Sequence, residues 1–360
     1  MRSKRNANIE LLRLLSMLMV MTLHCLAWSG ALYQQQGTAD LLYWGLEALC
    51  VPAVNCFVLI SGYFLVKTPF RAAKLLQIAG AVWSYAFLCS LLAAILSGEA
   101  LSARSVLMML FPLITKRYWF INAYLALYLL SPFLNRLILS LSKRQMTALT
   151  AVLCAILILR PTLFPRAWAQ DQSAGLSVFF FTALYLIAAW IRLYYRPAKP
   201  HGRICLLSYF CLSGALLASK LILQRVPGIS PETVTRYYSY DSLPVVAQAC
   251  ALFLAALSAK PGSGSVWERV SRLAGYSLAA YLIHYPLTKV LWTRILPVSS
   301  LLSVPAAGIP AILLAVLLVY LLCAGIETLR QLLIRRLPPC RRLQKWETAW
   351  DDLVNSGSDQ

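Results

Sequence analysis

From Val304 to Ile326 the chain carries no Asp, Glu, Lys, Arg or His, and one helical crossing of a bilayer needs about 20 predominantly apolar residues. The stretch Val304 to Glu327 is one of ten comparable runs. The others are Ile9 to Gly30, Leu41 to Val66, Leu75 to Leu96, Trp119 to Leu139, Met146 to Phe164, Leu176 to Tyr194, Ile204 to Leu223, Leu243 to Ala259 and Leu273 to Ile295. An outer-membrane barrel is excluded, because its strands alternate apolar and polar residues over about 10 positions, whereas these runs stay apolar for about 20. The sequence predicts an all-α, polytopic integral membrane bundle of about ten transmembrane helices.

Composition agrees. Of the 360 residues, 60% are hydrophobic and 13% charged, against about 45 to 50% and about 25% in soluble domains. The 33 Lys and Arg against 13 Asp and Glu give a net charge of +20, which in a soluble chain would suggest nucleic acid. Here the charges fall between apolar runs, with no RNP motif, Cys/His finger or continuous basic helix, so no nucleic-acid partner is expected. The ten cysteines show no CxxC spacing; Cys340 sits in the tail and the rest lie in or beside apolar spans. They are expected to pack as small apolar residues, without disulfides or a metal site.

Lys and Arg collect in short cytoplasmic loops. With the N-terminus inside, 22 of the 33 fall in one set of connections and the tail, 10 in the opposite set, and Arg13 within the first span. That segregation predicts an even number of spans with both termini cytoplasmic. The N-terminus is read as an uncleaved first helix rather than a signal peptide, since Glu10 and Arg13 interrupt it and no small-x-small cleavage site follows. Residues 1–329 are expected to form one integral membrane domain, and residues 330–360 a basic cytoplasmic tail, partly disordered, lying along anionic lipids. Pro197 to Arg203 reads as a turn-rich loop containing His201, and Pro261 to Ser265 as a flexible one.

Ionisable side chains inside a span are costly and usually face a cavity. On a helix, eleven positions bring Arg13 and His24 within about 20° of each other, with His24 roughly 16 Å further along the axis. Glu10 stands at i,i+3 to Arg13, where the two can pair. The bland alternative is an interfacial Glu10–Arg13 pair with a snorkelling arginine and a packed histidine. A second histidine, His284, lies mid-span in Tyr281-Leu-Ile-His284-Tyr-Pro286, and two histidines at comparable depth suggest a polar cavity suited to proton movement.

Four segments then carry a family likeness. They are Arg5-Asn-Ala-Asn-Ile-Glu10-Leu-Leu-Arg13 followed by His24; Phe57-Val-Leu-Ile-Ser61-Gly62-Tyr63-Phe-Leu65; Trp119-Phe-Ile-Asn122-Ala-Tyr124 through Ser131-Pro132-Phe-Leu-Asn135; and Tyr281-Leu-Ile-His284. In their order and spacing they resemble the membrane acyltransferase-3 family, over nearly the whole chain. The loop Phe70-Arg71-Ala-Ala-Lys74 departs from the closely spaced arginines of many relatives, and an additional soluble catalytic domain is not expected.

The resemblance implies transfer of an acyl group, acetyl being the family's commonest, from cytoplasmic acyl-CoA (acetyl-CoA) to a hydroxyl of an extracytoplasmic or lipid-linked glycan. It implies no bound cofactor and a multi-pass protein of the cytoplasmic membrane. His24 is the implied general base or transient acyl carrier, Arg13 a donor-binding group and Glu10 its orienter. His284 is a candidate for acceptor binding or proton relay, and Glu47 for orienting a histidine or binding substrate. Ser61 with Gly62 is a candidate for the substrate channel or for helix packing. Tyr124, Asn122 and the neighbouring Trp119 are candidates for a sugar site, Trp119 equally for an interfacial belt. Cys25 is a minor candidate acyl acceptor. The competing class is a proton-coupled secondary transporter, in which the same buried groups would bind substrate and couple protons.

Overall fold

The computed structural model describes residues 6–97, 102–113, 118–164, 175–196, 199–294, 301–334 and 341–355. The basic residues Lys116, Arg117, Arg166, Arg335 and Arg336, together with Cys340 and the end of the tail after Asn355, lie outside them. The described residues form helices and turns, with no strand among them.

The helices are α1 (Ala7–Ser29), α2 (Gly37–Cys50), α3 (Ala53–Leu65), α4 (Ala72–Ser97), α5 (Ala103–Leu110), α6 (Trp119–Ser140), α7 (Lys143–Cys154) and α8 (Arg160–Leu163). They continue with α9 (Val178–Tyr194), α10 (Lys199–Leu223), α11 (Pro231–Val234), α12 (Leu243–Ser258), α13 (Ser265–Ala274), α14 (Ser277–Arg294), α15 (Pro305–Ile334) and α16 (Arg341–Asn355). Among the described residues, eight helical segments are long and apolar enough to cross a membrane. Three of them are composite: α2 runs into α3, α7 reaches α8 through a π-helical turn at Ala155–Leu159, and a 3-10 turn at Arg236–Tyr238 leads into α12. The remaining two apolar ranges coincide with the shorter α9 and with α14.

α1 threads the middle of the bundle, against α2, α3, α12, α13, α14 and α15. It starts where Asn6 caps it, the side-chain oxygen accepting from Asn8 N at 3.0 Å, with Glu10 in the first turn where the helix dipole favours a carboxylate. Asn8 Nδ2 donates to the carbonyls of Ala259 at 3.1 Å and Lys260 at 3.0 Å, pinning this start to the end of α12. The helix ends at Gly30, whose φ of 82° is the left-handed conformation glycine adopts without penalty.

The second apolar run, expected as one span, is one, with a turn at Val51 and Pro52 that separates α2 from α3. Proline has no N–H to donate, so the carbonyl four residues back is orphaned, and in a membrane no water is at hand to satisfy it. α12 does so: Gln248 Nε2 donates to Ala48 O at 2.9 Å, and the next carbonyl, Leu49 O, accepts from Tyr209 Oη of α10 at 2.6 Å. Pro132 inside α6 is handled locally, since Ser131 Oγ donates to the freed Tyr128 carbonyl at 2.7 Å. α3 packs so closely on α9 that a Cβ on Gly62 would stand 3.0 Å from Ala188 Cβ and 3.1 Å from Tyr185 Cα.

α10 begins at Lys199, inside the stretch expected to be a loop, and puts His201 in its first turn with Nδ1 2.9 Å from Tyr195 Oη. The boundary expected after residue 329 falls inside α15. Beyond it, α16 folds back onto the start of α4. Asp351 Oδ1 accepts from Ala72 N at 2.6 Å, Asn355 exchanges hydrogen bonds with the Phe70 backbone at 3.1 and 3.0 Å, and Arg136 Nη2 donates to Val354 O at 3.0 Å.

Candidate active site

α1 and α14 pack side by side and bring His24 and His284 together, Nδ1 of the first lying 2.7 Å from Nε2 of the second. The rings are nearly coplanar, 5° apart, with centroids 4.9 Å apart. That separation is the N···N distance plus about two ring radii, so the rings meet edge to edge along a shared hydrogen bond. Backbone carbonyls decide its direction. His284 Nδ1 lies 2.9 Å from the carbonyl oxygens of Ala280 and Tyr281, which can only accept. The His284 proton is therefore on Nδ1, its Nε2 is an acceptor, and His24 Nδ1 must donate to it. What remains on His24 is the lone pair of Nε2, the form in which imidazole acts as a base or nucleophile.

Trp28, one helical turn beyond His24, stacks on it with centroids 4.9 Å and planes 21° apart, and reaches over His284 at 6.3 Å. Tyr281, one turn before His284, has its ring 6.1 Å from the imidazole. From there an aromatic wall extends through Phe120, 5.5 Å from Tyr281 and stacked on Tyr124 at 6.1 Å, and through Trp119, stacked on Tyr240 at 5.9 Å. Protein surrounds His24, Glu47, Tyr240 and Tyr281 on nearly all sides, yet each retains accessible surface.

Further toward the N-terminus of α1, Arg13 Nη1 holds both carboxylate oxygens of Glu10, at 2.8 and 2.7 Å. Glu10 is buried and Arg13 is 28% exposed in its side chain. Among the described residues, Nε and Nη2 of Arg13 meet no protein acceptor, so part of the guanidinium fork is free for a ligand. No described contact joins Arg13 to His24.

Glu47 does not orient either histidine: His284 is held by carbonyls and His24 by His284, while no described donor reaches Glu47 Oε2. Ser61 lies near the end of α3 without a hydrogen bond to the histidine pair, and its neighbour Gly62 serves the α3–α9 contact. Asn122 stands in the first turn of α6 and Tyr124 on the aromatic wall. Cys25 is buried at 2% exposure, off the His24 face. Trp28 and Tyr240 had no assigned place from sequence. Trp28 was within reach of a helical argument, being i+4 to His24; Tyr240 was not, since it comes from the connection before α12.

A helical, multi-pass membrane protein with a hydrogen-bonded histidine pair enclosed in its bundle is the class that fold and site define. The model of the acyltransferase family 3 domain matches residues 6–324, and the chain belongs to that family. It is thus a membrane acyltransferase. No curated protein and no solved structure matches it.

Proposed function

We propose that the protein moves an acyl group, acetyl foremost, from cytoplasmic acyl-CoA to a hydroxyl of an extracytoplasmic or lipid-linked glycan, in the cytoplasmic membrane. The observation that carries this is the His24–His284 hydrogen bond, whose direction leaves His24 Nε2 as an unprotonated base within the helix bundle.

The bias of Lys and Arg toward one set of loops puts the start of α1 inside. The donor therefore enters past Arg13, whose free Nε and Nη2 suit a phosphate or carbonyl oxygen and whose orientation Glu10 fixes. From there to His24 is roughly 16 Å along the helix, the kind of span an extended pantetheine arm bridges. The acceptor approaches from the other side, along the wall that bears Asn122 and Tyr124.

In the transfer step the acceptor hydroxyl oxygen attacks the thioester carbonyl carbon as its proton passes to His24 Nε2. The tetrahedral oxyanion collapses, the carbon–sulfur bond breaks, and the departing thiolate takes the proton back from the imidazolium. The environment suits that transient cation: His24 Nδ1–H donates to His284, His284 donates to carbonyls, and the Trp28 face lies against the ring.

The test is transfer of label from radioactive acetyl-CoA into cell-envelope material by membranes holding matched amounts of the protein, His24→Ala or Arg13→Lys. Label in a glycan that disappears with His24→Ala supports the reading. Labelling independent of His24 contradicts it and makes proton-coupled uptake the next assay.

A further inference from the structure

Arg13 has a counterpart in Arg192, in the last turn of α9. Gly62 of α3 packs on Ala188 and Tyr185 of α9, so the next residue, Tyr63, stands about one turn deeper in the membrane than Arg192. An arginine at such a helix end can extend to the water beyond it. Arg192 instead turns back into the bundle: Nη1 donates to Tyr63 Oη at 3.1 Å, and the guanidinium lies 4.7 Å from the centre of the Tyr63 ring. Its Nε is buried without an acceptor, while Nη2 keeps accessible surface and meets no acceptor among the described residues. Arg13, Lys220 and Arg330 each have a carboxylate, in Glu10, Asp40 and Glu327. Arg192 has only a ring and a hydroxyl, and a cation turned inward without an anion is costly. The α3–α9 contact is already close at Gly62 and needs no charge to hold it.

Hydrogen bonds and ring contacts put this group at the level of Arg13. Asn8, at the start of α1, holds the carbonyls of Ala259 and Lys260 at the end of α12. From that junction α1 runs inward to Arg13, five residues on, and α12 leads back inward to Phe253, six residues before Ala259. Both therefore lie about 8 to 9 Å inside the junction. The Phe253 ring meets Tyr63 edge to face, with centroids 5.3 Å apart, and Tyr63 carries Arg192. α1, α3 and α12 pack against one another, and α9 packs against α3. This is the layer through which the donor enters. Coenzyme A brings a diphosphate and a 3′-phosphate, more negative charge than Arg13 answers while it is paired with Glu10. A guanidinium with an open donor and no carboxylate suits a phosphate oxygen.

We propose that Arg192 is a second phosphate-binding residue of the donor site, holding a phosphate of acyl-CoA through Nη2 while Tyr63 keeps its guanidinium turned inward. This rests on the acyl-transfer reading above. Arg192 grips the part of the donor that is not transferred, so it sets donor affinity and leaves the step at His24 unchanged. Tyr63 acts through Arg192 and is a positioning residue: its ring face attracts the cation and its hydroxyl takes Nη1.

The experiment follows His24-dependent transfer of label from radioactive acetyl-CoA into cell-envelope material over a range of donor concentrations, in membranes holding matched amounts of the full-length protein. The competing probe is 3′-phosphoadenosine 5′-diphosphate, which carries the phosphates of coenzyme A without the pantetheine arm. Arg192→Gln is expected to raise the donor KM about tenfold or more, the scale of a charge-assisted hydrogen bond, with kcat at saturating donor within about threefold. Competitive inhibition by the probe should weaken by a similar factor. Arg192→Lys, which keeps the charge without the fork, should lie between the two; where Arg192→Gln does not accumulate in the membrane, the lysine variant carries the same test, with donor KM raised about threefold or more and kcat kept. Tyr63→Leu should raise the donor KM in the otherwise unaltered protein and add little to Arg192→Gln. An unchanged donor KM, a loss confined to kcat, lysine no better than glutamine, or no inhibition of the unaltered protein by the probe each overturns the inference. Absence of His24-dependent labelling by the unaltered protein instead overturns the acyl-transfer reading, before any donor KM is measured.

Discussion

His24 and His284 are 260 residues apart in the chain and share one hydrogen bond of 2.7 Å, whose direction is imposed by the carbonyls that His284 Nδ1 meets in its own helix. A side chain that fixes the tautomer of a base acts through that base, so His284 is a positioning residue. His284→Ala is expected to lower kcat for acyl transfer by about 10²-fold with little change in the donor KM, and His24→Ala by about 10² to 10⁴. His284→Gln, whose amide oxygen can still accept from His24 Nδ1, should recover part of the loss. Equal loss in the alanine and glutamine variants would mean that His284 does something other than accept that bond.

Gln248 should be essential to stability for a reason that lies in another helix. With Gln248→Leu, the Ala48 carbonyl freed by Pro52 loses its donor, at a cost of about 1 to 3 kcal/mol. Pro52→Ala supplies the missing N–H from within the helix, so the double variant should lose less than the sum of the two single ones. Thermal unfolding of the four proteins in detergent measures that coupling, and strict additivity would contradict it.

How much of this was legible in sequence depended on distance along the chain. Run length alone located the long apolar helices, though not the short or amphipathic α5, α11, α13 and α16, and the eleven-residue spacing placed Arg13 and His24 on one helix, because both properties are local. Pro52 was visible in the second run, which is one span as expected, yet the turn there was not foreseen, since a proline inside a membrane helix is tolerated when a partner such as Gln248 takes over the lost hydrogen bond. The pairing of His24 with His284 depends on α1 packing against α14, which no local pattern encodes. Glu47 illustrates the limit from the other side. Its carboxylate was a reasonable partner for a histidine, but the i−3 and i−4 carbonyls of α14 already hold His284 Nδ1.

Gly62 supports the α3–α9 contact by having no side chain. Gly62→Ala pushes a methyl against Ala188 and the Tyr185 backbone and should cost about 1 to 3 kcal/mol, the usual range for overpacking. Ala188→Gly, which removes one of the two obstacles, should recover part of that loss in the same unfolding assay; no recovery would place the strain elsewhere.

Asp351 on Ala72 N and Asn355 on Phe70 fasten α16 to the start of α4. A carboxylate on a helix N-terminal amide contributes about 1 kcal/mol. Asp351→Ala should therefore raise the undocked population several-fold and speed tryptic cleavage within α16 of the full-length protein. Unchanged cleavage would show that Asp351 does not hold the helix.

The chain contains three histidines, which makes the tautomer of His24 directly observable. With histidine labelled by ¹⁵N and the resonances assigned through His24→Ala and His201→Ala, solid-state NMR of the protein in lipid should show His24 protonated at Nδ1 and bare at Nε2, coupled through its hydrogen bond to a bare Nε2 of His284. A proton on His24 Nε2 in the resting protein would contradict the account, because the atom assigned to take the acceptor's proton would already carry one.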